Sequence, residues 1–322
     1  MVALMAALAI VIVLRKAAPP EAARLLPESD AIVYANLRPL RATTHFERTP
    51  VTRNPKYQHF VDATGIVPER DLDSAAFALH RMDDPNGPNG PVGYSEVFEG
   101  RFDGARLANY LQSIATSKES YADHDIYTIA VGDGGVTRPL RIAQLGYDTI
   151  AASNMPTPEQ IHSILDRHRA AASPFSGSSL LSERYRDVPA FSSAWAIGHI
   201  GLPFSDRGYI SILGLQLPLT EDTTFVASLR YLGTLHLRIE QIAPTEADAA
   251  KATETLSSLL GLVKTVEKTE AQMHPQAAVD AEFLQMTDSA KIEQHKDRAV
   301  MTANIPLDLV RKLTTPSIEG RP

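Results

Sequence analysis

Ile142-Ala-Gln-Leu-Gly-Tyr-Asp-Thr-Ile-Ala-Ala-Ser-Asn-Met-Pro156 returns later in the chain as Ile292-Glu-Gln-His-Lys-Asp-Arg-Ala-Val-Met-Thr-Ala-Asn-Ile-Pro306. Ile142, Gln144, Asn154 and Pro156 recur with unchanged spacing as Ile292, Gln294, Asn304 and Pro306. Each stretch reads as two short strands followed by a turn into a helix. Four identities arise by chance in a chain this long, so the weight rests on what surrounds them.

Outward from this pair the elements come in the same order. Pro27 with Ala31 to Leu37, and Pro189 with Ser193 to His199, each read as a proline-led strand. A β-rich pair follows in each half, Ser74 to Met82 with Tyr94 to Phe102, then Thr223 to Leu232 with Thr234 to Ile242 around Gly233. Next comes an amphipathic helix. Asp103 caps one whose Leu107, Tyr110, Leu111 and Ile114 share a face, and Thr245 with Asp248 forms a capping box before Leu256, Leu259, Leu260, Val263 and Val266. In the first half, Tyr127 to Val131 precedes the quoted strands, and Thr157-Pro158-Glu159-Gln160 then starts a helix with Ile161, Ile164 and Leu165 on its stripe. In the second half the strands surround His295-Lys296-Asp297, and Pro306 opens a short helix with Leu309, Val310 and Leu313. Paired strands alternating with single helices predict an α+β fold. Its expected form is two similar lobes from an internal duplication, each an antiparallel sheet with helices packed on one face.

The expected boundaries follow from composition. Residues 1–16 read as a signal or membrane anchor, 17–26 as an Ala/Pro-rich tether and 27–170 as the first lobe. Residues 171–188 read as a serine-rich, then charged linker, 189–315 as the second lobe and 316–322 as a flexible tail. Met1 to Leu14 is an unbroken apolar run followed by Arg15-Lys16. At ~1.5 Å per residue it spans ~21 Å against a ~30 Å hydrocarbon core, so it reads as a signal-peptide core or as part of an anchor that begins upstream. The expected location is therefore the membrane, with the lobes extracytoplasmic in the periplasm; an orientation facing the cytoplasm is the alternative.

The net charge of -7 is spread along the chain with no basic stripe, which argues against nucleic acid as a partner. With no cysteine, disulfides, thiolate metal sites and cysteine nucleophiles are all excluded.

Several local patterns resemble sites and fail the chemistry. Asp83-Asp-Pro-Asn-Gly-Pro-Asn-Gly90 clusters oxygen ligands, yet counting from Asp84 puts Pro88 at position five, where a calcium loop needs an oxygen ligand, Asn89 at position six, where it needs glycine, and Ser95 at position twelve, where it needs a glutamate. Gly132-Asp-Gly-Gly135 lacks the lysine and the following helix of a phosphate loop and reads as a turn between strands. Asp123-His124-Asp125 places an imidazole between carboxylates, but strand neighbours point to opposite faces. Gly93-Tyr-Ser-Glu-Val97 and Gly177-Ser-Ser-Leu-Leu181 lack the second glycine of a nucleophile elbow. The ten histidines show no zinc spacing; His162 and His168 share a helix but lie apart around it, and His236 reads as a solvent-facing or hydrogen-bonded strand residue. Trp195, Phe191 and Phe204 are candidates for a pocket in the second lobe, with core packing the expectation for Trp195. No catalytic, cofactor or metal residue is therefore assigned.

Leu26-Pro-Glu-Ser-Asp-Ala-Ile-Val-Tyr-Ala-Asn-Leu37, Gly65-Ile-Val-Pro-Glu-Arg-Asp-Leu-Asp73 and Phe98-Glu-Gly-Arg-Phe-Asp103 resemble segments of uncharacterised bacterial membrane-anchored envelope proteins. The resemblance spans most of the first lobe. It implies an N-terminal membrane segment and duplicated α+β lobes, and it carries no activity. The functional expectation is a membrane-tethered, non-enzymatic envelope protein that binds a protein partner or ligand. The alternative is an envelope hydrolase whose site is assembled from distant segments. The segments that differ between lobes, Asp83 to Gly90 and Gly201 to Leu219, are the expected seats of function.

Overall fold

The computed structural model describes residues 18–48, 54–87, 89–132, 137–170, 176–199, 209–212, 215–218, 223–231, 233–273 and 281–309. They group into two compact units, one within 1–35 and 55–190, the other within 36–54 and 191–322. The apolar run Met1 to Leu14, most of the Gly201 to Leu219 segment and the tail 316–322 lie outside the described residues. Among the described residues, no helix is long and apolar enough to cross a membrane.

The first unit holds β1 (Ala31–Asn36), β2 (Leu72–Arg81), β3 (Val92–Gly100), β4 (Ser117–Tyr121), β5 (His124–Val131), β6 (Arg138–Gln144) and β7 (Thr149–Ser153). They lie in the order β1-β2-β3-β7-β6-β5-β4, and from β2 onward every neighbouring pair is antiparallel. The second unit orders β8 (Ala194–His199), β11 (Thr224–Tyr231), β12 (Leu235–Ile242), β13 (Lys291–His295) and β14 (Arg298–Ile305) as β13-β14-β12-β11-β8, again with antiparallel pairs. A separate hairpin joins β9 (Tyr209–Ile212) to β10 (Leu215–Pro218).

Helices start where their caps dictate. Asp103 accepts from the Arg106 amide at 3.1 Å and begins the helix Gly104–Ile114, whose Leu107 and Leu111 are buried. Thr245 accepts from the Asp248 amide at 3.1 Å and donates to its carboxylate at 2.7 Å at the start of the helix Glu246–Met273.

The helices of the first unit cover both faces of its sheet, not one. Leu107 and Leu111 pack with Ile66 and Tyr127 on one side. On the other, the helix Glu159–Arg169 meets the strand positions of opposite parity: His162 contacts Glu119 and Tyr121 donates to Asp166. The cause is legible in β2, where Ser74 to Leu79 includes buried residues of both parities and so reads as a strand enclosed from both sides.

The 17–26 stretch is not a free tether. Glu21–Leu25 is a helix with Ala22, Ala23 and Leu25 buried, and the Ala22 amide donates to Glu99 Oε1 at 3.1 Å. Nor is all of 171–188 an open linker. Ser179–Arg184 is a helix with Leu180 and Leu181 buried, pinned where the Ser179 amide and hydroxyl donate to Glu28 Oε2 at 2.9 and 2.6 Å. The described residues of 37–48, expected in the first lobe, group with the second unit.

Candidate functional site

Two hairpin ends of the first unit build a cleft of about 410 Å³. The β4–β5 connection is the two-residue turn Ala122-Asp123, with φ of 49° and 64°. Both residues are left-handed, as a type I′ turn requires. Beside it runs the β6–β7 turn, where Gln144 donates its side-chain amide to the Gly146 carbonyl at 2.9 Å. His124 Nδ1 lies 3.0 Å from the Gln144 carbonyl. Because a carbonyl only accepts, Nδ1 donates in this bond.

Ala108 and Leu111 of the 104–114 helix supply apolar wall, with Leu145 and Tyr127. Asp123, Asp125 and Tyr147 form the polar part of the lining, and Tyr147 is 94% exposed. Asp125 is held by Lys118 at 2.7 Å, and the same ammonium lies 5.4 Å from the centre of the Tyr127 ring.

The 159–169 helix buttresses this corner. Its His162 stacks on Tyr121 with ring centres 3.9 Å apart, and His162 Nε2 lies 3.0 Å from Glu119 Oε1. Tyr121 donates to Asp166 at 2.9 Å, and that bond holds its phenol protonated above the usual range. His168 sits edge-on to His124 at 5.6 Å; burial, then His124, pushes its pKa down. His162 and His168 thus serve different partners, as their spacing implied. His124 and Asp125 likewise part ways, alternation sending the carboxylate to Lys118 and the imidazole to the Gln144 carbonyl.

A second constellation was not legible in the sequence. Ser95 sits mid-strand in β3, away from any strand-to-helix elbow, with His80 Nε2 at 2.9 Å and Ser153 Oγ at 3.3 Å. Burial lowers the His80 pKa, with Asp30 opposing. A serine beside a histidine is the pair a hydrolase uses. Here Ser95 is 0%, Ser153 1% and His80 6% exposed, so no substrate reaches the hydroxyl in this conformation. The missing signal is register: His80 and Ser95 stand on neighbouring strands joined by a long loop whose sequence does not set their pairing.

The other sequence candidates are structural where they are described. Asp84 spends its oxygens on its own turn, accepting from the Asn86 amide at 3.0 Å and, through its carbonyl, from the Gly87 amide at 3.1 Å. Asn89 is 5% exposed and donates to the Asn154 carbonyl at 3.1 Å. Among the described residues no three His, Cys, Asp or Glu side chains are grouped to hold a metal. Ser178 caps the 179–184 helix, accepting from the Leu181 amide at 3.3 Å. Trp195 is buried, Phe191 is 81% exposed, and Thr234 Oγ1 lies 3.1 Å from His236 Nε2. Positions 133–135 of the glycine-rich turn, like Phe204, lie outside the described residues.

No family model matches the chain, and no curated protein matches it. Among solved structures it is similar to three crystal forms of TP0453. Form III has a TM-score of 0.49 and 9% identity, covering 92% of this chain and 99% of that one. Form IV has a TM-score of 0.46 and 7% identity, covering 92% and 96%. Form I has a TM-score of 0.45 and 8% identity, covering 91% and 96%.

Proposed function

We propose that the chain is a non-enzymatic, membrane-tethered protein of the bacterial cell envelope that binds a protein partner or ligand at the cleft beside His124. The observation that carries this reading is the cleft itself: an apolar wall of Ala108, Leu111 and Leu145 under a polar, aromatic rim. Recognition sites combine apolar lining with a few placed polar groups in this way. The tether rests on Met1 to Leu14 with Arg15-Lys16, and the periplasmic placement on the resemblance to envelope proteins.

The internal duplication belongs to the same proposal. The order β1-β2-β3-β7-β6 corresponds step by step to β8-β11-β12-β14-β13, with β4 and β5 extra in the first unit. That correspondence supports descent of both units from one ancestor.

Two experiments test the reading. In cells with a permeabilised outer membrane, external protease is expected to digest the chain; full protection overturns the periplasmic placement. Pull-down from the membrane fraction is expected to recover a partner that is lost on Tyr147→Ala.

The hydrolase alternative rests on the 2.9 Å contact between His80 and Ser95. It requires the sheet face to open. Covalent labelling of Ser95 by a fluorophosphonate probe in the folded protein would reverse the ranking.

A further inference from the structure

The chemistry of the cleft rim defines what fits it. Asp123 contributes a carboxylate, and Tyr147 a phenol and a ring face. The neighbouring cation, Lys118, is already committed to Asp125 at 2.7 Å. The rim therefore offers acceptors and acidic charge, and a ligand has to bring donors and positive charge. A phosphate or carboxylate ligand would meet Asp123 and Asp125 instead.

Lys118 shows how this corner holds a cation. Its ammonium bonds Asp125 and lies 5.4 Å from the Tyr127 ring centre, a carboxylate and an aromatic face acting together. Asp123 and Tyr147 offer the same two groups on the same cleft. Ala108, backed by the buried Leu111 and Leu145, supplies the apolar floor on which a methylene stem rests while its charged head stays at the rim.

Resting on the reading of the cleft as a recognition site, we propose that its ligand is a basic side chain, lysine or arginine, presented by a peptide segment of the partner. The stem packs on Ala108, and the head bonds Asp123 beside the Tyr147 ring. A cleft of about 410 Å³ admits one or two such side chains.

The test is a nuclear magnetic resonance titration of the full chain with three blocked peptides, Ala-Lys-Ala-Lys-Ala and its counterparts with glutamate or leucine in place of lysine. The lysine peptide alone is expected to shift the amide signals of Asp123, Gly146 and Tyr147, and raising salt to about 0.5 M is expected to abolish the shift. Asp123→Asn is expected to weaken binding about three- to fivefold, and Tyr147→Ala about tenfold. Both variants should keep the wild-type thermal midpoint, since asparagine tolerates the φ of 64° at position 123 and Tyr147 is 94% exposed. Equal shifts with the leucine or glutamate peptide would overturn the charge assignment and leave the cleft as a recognition site. If no peptide moves these signals but Tyr147→Ala still loses the membrane partner, the basic ligand is wrong and the site reading stands. If no peptide moves them and the variant keeps its partner, both are wrong.

Discussion

Gln144 and Gln294 make the same bond in the two units, each donating its side-chain amide at 2.9 Å to the carbonyl two residues on, Gly146 and Lys296. Each also touches the start of a helix in its own unit. Gln294 donates to the carbonyl of Glu246, the first residue of its helix, at 2.9 Å. Gln144 lies so close to Gly104, the first residue of its helix, that a methyl group there would overlap the amide. Gly104→Ala should therefore push Gln144 off Gly146 and cost about 1–2 kcal/mol, and Gln144→Ala about 1 kcal/mol. Combined, the two should cost no more than the larger single change, because the clash disappears with the amide. A thermal double-mutant cycle measures this; additive losses would show that the residues do not act through each other.

The recurrence of Ile142, Gln144, Asn154 and Pro156 as Ile292, Gln294, Asn304 and Pro306 is legible because its evidence is local, yet only part of it keeps one structural role. Ile142 pairs with Ala152, whereas Ile292 pairs with Met301, so equal spacing in sequence conceals a second hairpin that closes one residue tighter. The asparagines diverge accordingly. Asn154 Oδ1 accepts from the Tyr94 amide at 2.6 Å, while the Asn304 amide donates to Ser289 Oγ at 2.8 Å. Strand β4 was missed because Ser117-Lys-Glu-Ser-Tyr121 is polar and exposed, an edge strand with no buried face to produce an alternating pattern. The cleft was missed because its walls come from separated segments, a helix and two hairpin turns, whose proximity depends on register.

Ala122 occupies a left-handed position, φ 49°, that its methyl group disfavours. Ala122→Gly removes the steric penalty and adds unfolded-state entropy, so Ala122→Asn is the better replacement. It should raise stability by about 0.5–1 kcal/mol, read as a higher thermal midpoint. A lower midpoint would show that the alanine methyl makes a contact worth more than the strain.

In the second unit Glu240 is 4% exposed and bonds two guanidinium groups, Arg238 at 2.7 Å and Arg298 at 2.8 Å. The arginine side chains are 34% and 28% exposed, so solvent screens part of the attraction. Glu240→Gln keeps the shape but leaves two cations facing an amide. The expected cost is about 2–3 kcal/mol, at or below the low end for breaking a buried pair. Urea denaturation measures it; a change under about 0.5 kcal/mol would show that water already carries the charges.

His80 gives the protein an acid-sensitive strand pair. Burial holds its folded-state pKa below the ordinary 6.5, with Asp30 opposing, while the unfolded residue titrates normally. As pH falls below about 6.5 the unfolded state takes up a proton that the folded state resists, so the contribution is fully present above that value and is lost toward and through the lowered folded pKa. His80→Gln keeps an amide within reach of Ser95 and removes the titration. Between about pH 7.5 and pH 5 the wild-type thermal midpoint should therefore fall more steeply than that of the variant. Parallel pH profiles for the two proteins would show that the β2–β3 face admits water to His80 and that its burial does not couple to folding.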